Sequence, residues 1–93
     1  MNIGVLRIDL LVSDSGSLKD KRRVIRRLKD RIKNHFNVSI AEIDNMDKWQ
    51  KATLAMAAVS NDKRHLSGYL DNIVDFIEKE SKITILDHTT EIL

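Results

Sequence analysis

Basic side chains recur at helical spacing in one stretch of this chain, and phosphate binding is the chemistry that they could perform. Residues 17–36 hold nine lysines and arginines against two carboxylates, a net charge of +7, whereas seven against twelve elsewhere give −5. A row of roughly 16 Å along one side of a helix would be formed by residues spaced i, i+4, i+7 and i+11. These residues are Arg22, Arg26, Lys29 and Lys33. Such a row spans about two or three phosphates of a nucleic-acid backbone.

Three more basic residues widen this row into a patch that we call the basic ribbon. Its members are Lys19, Arg22, Arg23, Arg26, Arg27, Lys29 and Lys33. Asp30 is expected to pair with Arg26 or Arg27. No aromatic residue interleaves the ribbon, so base stacking of the kind used by RNA-recognition motifs is not expected from it. The sequence predicts a nucleic-acid-binding helix face.

A second interpretation of the basic ribbon is a solvated face that binds no ligand. Asp71, Asp75 and Glu78 lie on the polar side of a later amphipathic segment. These carboxylates could form ion pairs with the basic ribbon, either within one subunit or across a dimer. Exposed ion pairs contribute less than about 1 kcal/mol each to stability. Stability alone therefore does not explain why so many basic residues are concentrated on this helix.

Carboxylates and histidines give weaker indications of a metal site. Glu42, Asp44 and Asp47 are close in sequence, and strand periodicity predicts that Glu42 and Asp44 share a face, where they could attract a hard cation. The histidines are isolated, and His35 is better placed to close a helix C-terminus than to bind metal. No metal or cofactor is predicted.

The segment 13–17 suggests an enzyme alternative, because a loop before a helix can hold an anion on its free N–H groups with Lys19 nearby. Acylphosphatases, which have a ferredoxin-like fold, hold phosphate in the loop after their first strand. Asp14 opposes an anion, however, and the glycine-rich cradle and its arginine are missing. No catalytic residue is predicted.

Trp49 follows a polar turn and precedes an apolar segment. It either packs in the core or against Met46 or Met56, or it anchors a partner, since tryptophan is enriched at interaction hot spots. Gln50 is assigned to the same partner contact.

Hydrophobic periodicity predicts the elements that position these residues. Ser17 followed by Asp20 predicts a helix that begins at Leu18, and Asn34 or Asn37 could provide a left-handed residue at its end. The predicted segments are strand 3–12, helix 18–36, strand 38–43, strand 51–60, a helix capped within 60–62, strand 83–86 and a frayed polar tail. The order βαββαβ predicts an α+β ferredoxin-like sandwich, a four-stranded antiparallel sheet with two helices on one face and the first and third strands central.

The third predicted strand carries no polar side chain on either face between Leu54 and Val59. A strand with two apolar faces is normally covered on both. Because helices cover one face in this fold, we expect the open face to form a homodimer.

Composition limits the remaining possibilities. A chain of 93 residues suits a single domain, residues 1–93, and the absence of cysteine is compatible with a reducing compartment. The apolar run 3–12 is interrupted by Arg7 and Asp9 and is shorter than the roughly 20 residues of a membrane span. We therefore expect a cytoplasmic protein without a membrane segment.

Three motifs, in this order and spacing, carry a family resemblance: SLKDKRRVI, FNVSIAEID and DKWQKATLAMAAVSND. Together they resemble the YlxP family of small bacterial proteins over nearly the whole chain. The resemblance implies a ferredoxin-like fold, a cytosolic setting, genes commonly placed among translation and ribosome-assembly factors, and no established catalytic activity. It makes structured RNA or a ribosomal particle the expected partner.

Overall fold

Six elements follow one another in the computed structural model, which describes residues 1–93. They are β1 (Asn2–Val12), α1 (Leu18–His35), β2 (Ser39–Asp44), β3 (Lys51–Ser60), α2 (Lys63–Glu78) and β4 (Ile83–Ile92). The strands form one antiparallel sheet in the order β2-β3-β1-β4. This is the predicted ferredoxin-like sandwich, and β1 and β3 are its central strands, as predicted.

The core lies between one face of the sheet and the two helices. Alternate residues of β1 are fully buried there, and they pack with the apolar stripes of both helices. The buried residues of β1 are Leu6, Ile8, Leu10 and Val12. At Gly4 a Cβ atom would lie 2.8 Å from Leu70 Cδ1, so α2 crosses β1 at a distance that only glycine permits without adjustment.

α1 begins at the predicted residue and ends one residue before the predicted end, but the predicted left-handed residue is absent. Ser17 caps the helix, and its Oγ accepts a hydrogen bond from the Asp20 N–H at 3.1 Å. Neither Asn34 nor Asn37 is left-handed. Instead Phe36 is extended, and its ring meets Tyr69 edge-on with 5.5 Å between centroids. Tertiary packing of Phe36 therefore ends the helix.

The last strand is longer than the sequence predicts. Residues 88–91 are predicted to form a frayed polar tail, but β4 continues to Ile92, which lies opposite Gly4 of β1. Most of these side chains are exposed, so their polarity does not conflict with an edge strand. Backbone pairing with β1 explains the strand, and side-chain patterning did not reveal it.

The second face of the sheet is not covered by a helix. Residues that lie opposite one another in the register share a face, which places Val5, Ala41 and Ala57 together on this open side. They are half-buried or exposed, and Val59 on the same face is 67% exposed. The open face predicted from the composition of β3 is therefore present. Neither helix has the length and hydropathy required to cross a membrane.

Candidate nucleic-acid interface

All seven residues of the basic ribbon lie on α1, where Lys29 is half-buried and the other six are exposed. None of them lies within 4.0 Å of a carboxylate oxygen, because the ion pairs of this chain are Lys21–Glu42 and Arg31–Glu80. The predicted pairing of Asp30 with Arg26 or Arg27 is therefore wrong. A basic residue placed four positions before an acidic one is the less favourable orientation on a helix, and exposed pairs compete with water.

The acidic face of α2 does not form ion pairs with the basic ribbon within the subunit. Arg31 lies about 170° around α1 from the centre of the row Arg22, Arg26, Lys29 and Lys33. On that opposite flank, Arg31 Nε lies 3.1 Å from Glu80 Oε1, and its guanidinium lies 5.8 Å from the Phe76 ring centroid. The flank that carries Arg31 therefore meets the end of α2, and the row points away from it, towards the β2 side.

Lys21 has a role that the sequence did not reveal. Its side chain is fully buried, and Nζ donates to Glu42 Oε2 at 3.1 Å. It also reaches three main-chain oxygens, at 2.7 Å, 3.3 Å and 3.1 Å, in Asn45, Met46 and Lys51. The available signal was position, since Lys21 falls within the apolar stripe of α1, four residues before Ile25.

The contacts of Lys21 continue into a polar chain across the sheet. Asn45 Nδ2 donates to Thr53 Oγ1 at 2.8 Å, and Thr53 Oγ1 donates to Asp9 Oδ1 at 2.8 Å. Asn45 has φ 62°, a left-handed conformation that asparagine tolerates better than most residues. Every buried side-chain polar atom has a partner. The β2–β3 turn, residues 45–50, is thereby fastened to α1 and β1.

The carboxylates that suggested a cation site are separated. A bulge in β2 places Glu42 opposite Leu54 on the helix side, and Asp44 opposite Thr53 on the open side. The prediction that Glu42 and Asp44 share a face is wrong, because the extra residue reverses the alternation. Glu42 is also engaged by Lys21. No group of three or more His, Asp and Glu side chains is arranged to hold a metal ion.

His35 and the loop before α1, the other candidates for metal or anion binding, also make contacts within the chain. His35 Nδ1 lies 2.9 Å from the Arg31 carbonyl oxygen, so this ring closes α1, as predicted. In the loop before α1, the Gly16 N–H donates to Asp20 Oδ2 at 3.3 Å. The cleft beside this loop is lined by the carboxylates of Asp14 and Asp20 and by the cationic side chains of Arg23, Arg27 and Lys82, so it is not a purely cationic cradle.

Trp49 is 56% exposed in the β2–β3 turn, so of the alternatives considered for it, packing in the core does not occur. Met46 in the same turn is also exposed. Gln50 is fixed by hydrogen bonds within the chain. Its side-chain Nε2 donates to the Ser15 carbonyl at 3.2 Å, and its main-chain carbonyl accepts from the Val12 N–H at 2.7 Å. Gln50 therefore fastens the turn, whereas the indole of Trp49 is accessible to a partner.

Comparison with known proteins agrees with the motifs identified in the sequence. The uncharacterized protein YlxP of Bacillus subtilis (strain 168) is 38% identical over 81 residues, which cover 87% of this chain and 88% of that protein. The de novo designed protein Foldit4 has a TM-score of 0.50 at 16% identity, covering 100% of this chain and 94% of its own, and it shows the fold alone. Residues 3–90 match the model of the family described as "Protein of unknown function (DUF503)". The chain therefore belongs to the DUF503 family.

Proposed function

We propose that this protein binds structured RNA, free or within a ribosomal particle, through the basic ribbon of α1. The observation that supports this function is the arrangement of seven cationic side chains on one helix, none of them within ion-pair distance of a carboxylate. Charges left free in this way can neutralise phosphates and release their counterions.

Structured RNA fits this surface better than single-stranded RNA does. Double-stranded RNA is recognised mostly by its shape and through its backbone, which requires positive charge along a rigid element and no reading of bases. The row Arg22, Arg26, Lys29 and Lys33 offers such a line on an 18-residue helix. The translational gene context implied by the family resemblance favours RNA over DNA.

The proposed function predicts a steep dependence of RNA affinity on salt. Two or three phosphate contacts give a slope of about −1.5 to −3 in a plot of log affinity against log salt concentration. Fluorescence anisotropy with a labelled RNA hairpin measures this slope, and co-sedimentation with ribosomal subunits over the same salt series extends it to the particle. Absence of binding to both at low salt, or a slope near zero, would contradict the proposal.

A second candidate function is a homodimeric scaffold that uses the open face of the sheet. The apolar strip formed by Val5, Ala41 and Ala57 has no cover in the monomer. Arg7 lies on the same face as Asp87 and Glu91 of β4, so a two-fold axis that passes between Arg7 and β4 would bring charges of opposite sign together. A second copy of the chain therefore suits this face.

The homodimer predicts that wild-type protein sediments at twice the 10.7 kDa mass of the chain. Ala57→Lys places a charge in the centre of the apolar strip, and we expect it to give the monomer mass, because an unpaired charge is costly to bury. Asn72→Lys adds the same side chain at an exposed site on α2 and should leave the dimer intact. Analytical ultracentrifugation distinguishes these masses, and a monomeric wild type at micromolar concentration would exclude this candidate.

A further inference from the structure

Trp49 is an exposed aromatic side chain on a turn that the rest of the chain holds firmly. It is the single tryptophan of the protein, and 56% of it is accessible. The turn that carries it is fixed by the buried Lys21 amine and by Gln50. An indole held in this way presents a rigid apolar surface at little cost in conformational entropy.

The fold brings this turn to the start of the basic ribbon. Lys21 Nζ donates to the carbonyls of Asn45 and Met46, and Arg22 is the next residue of α1. Gln50 Nε2 donates to the Ser15 carbonyl, two residues before the helix N-cap. The row on α1 faces the β2 side, which is the side where the turn lies. The turn that carries the indole therefore lies at the end of the molecule where α1 and its row of basic residues begin.

The charges at this end of the molecule suit an anionic partner. Lys48 and Lys51 are exposed in and after this turn, and the carboxylates of Asp44 and Asp47 are exposed before and within it. The turn is therefore balanced in charge, and the excess of positive charge at this end of the molecule comes from the start of α1, where Lys19 and Arg22 are exposed. An aromatic side chain next to a basic surface is the arrangement that proteins use to stack unpaired nucleic-acid bases while cations hold the backbone.

We infer that Trp49 stacks on an unpaired nucleotide while the basic ribbon follows the adjoining duplex. This inference rests on the proposed RNA binding and specifies its substrate: an RNA helix interrupted by a bulge or ended by a loop is preferred over an uninterrupted duplex. No aromatic residue interleaves the basic ribbon of α1. The stacking residue is supplied by the β2–β3 turn, which Lys21 holds against α1.

The test compares two RNA hairpins of equal length whose strands are joined by a non-nucleotide linker, so that neither has loop bases; one is fully paired, and the other has a single unpaired adenosine. Wild-type protein should bind the bulged hairpin on the order of tenfold more tightly, because stacking of one base on an aromatic side chain has an effect of this size. Trp49 emission reports contact directly, since no other tryptophan contributes. We expect quenching by the bulged hairpin and little change with the paired one.

Two variants separate stacking from other effects of the turn. Trp49→Ala should reduce affinity for the bulged hairpin to that for the paired hairpin, and leave the salt slope unchanged. Trp49→Tyr keeps an aromatic face and should retain most of the preference. Met46→Ala removes another exposed apolar side chain of the same turn and serves as the control.

The outcomes distinguish failure of this inference from failure of the proposed function. Equal affinity of wild type for the two hairpins, with a steep salt slope and unchanged emission, would overturn stacking and leave RNA binding by α1 standing. Absence of salt-dependent binding to either hairpin would overturn both. Loss of affinity for the two hairpins in equal measure on Trp49→Ala would also overturn stacking.

Discussion

Replacement of Lys21 with alanine is expected to lower the free energy of unfolding by about 3–5 kcal/mol, the cost of removing one partner from a buried ion pair. Glu42 is 17% exposed and would lose its only cationic partner. Three main-chain carbonyls would lose a donor at the same time. Since small domains are stable by about 5–15 kcal/mol, this loss is a large fraction of the total free energy of unfolding.

Urea denaturation followed by circular dichroism measures the effect of Lys21→Ala. Lys19→Ala is the matched control, because it removes the same side chain two residues away at an exposed position and should change stability by less than about 0.5 kcal/mol. Glu42→Gln keeps an acceptor for the amine and should be milder than Lys21→Ala. Equal stabilities of Lys21→Ala and Lys19→Ala would show that the buried amine does not hold the β2–β3 turn.

Reversal of charge at two positions of the row, Arg22→Glu with Arg26→Glu, is expected to reduce affinity for structured RNA by more than about 100-fold at low salt. Two phosphate contacts are lost and two carboxylates repel the backbone. The slope of log affinity against log salt should become shallower by about 2. Both side chains are exposed and outside the core, so the fold should persist.

The control for this reversal is Lys63→Glu with Arg64→Glu at the start of α2. Both residues are exposed, and the change in net charge is the same. If RNA binds along α1, the control should retain most of the affinity and the full slope. An equal loss in the two double variants, measured by anisotropy, would mean that binding follows total charge and involves no particular helix face.

Local signals were sufficient to predict most of the fold from the sequence. The period of the apolar residues, the Ser17 cap and the turn residues specify the element order, and this order has one common antiparallel arrangement. Local signals do not predict contacts between residues that are distant along the chain. Lys21 meets oxygen atoms from 21 to 30 residues further along the chain, and nothing in its immediate neighbours indicates them.

For the same reason, only part of the candidate interface could be predicted from the sequence. The basic ribbon follows from helical spacing on one element, and all seven of its residues lie there. The exposure of Trp49 and its place beside α1 depend on the β2–β3 turn, whose path is fixed by Lys21 and Gln50. The bulge after Glu42 likewise requires knowledge of which residues face each other across two strands.

The pairing of β1 with both β3 and β4 has a consequence for the order of events during synthesis. β1 is made first, yet one of its edges is completed by residues 51–60 and the other by residues 83–92. Contacts between residues so distant along the chain slow the search for the native state. While translation continues, the apolar first strand has no finished sheet to join, so this small domain acquires its native topology only after β4 has left the ribosomal exit tunnel.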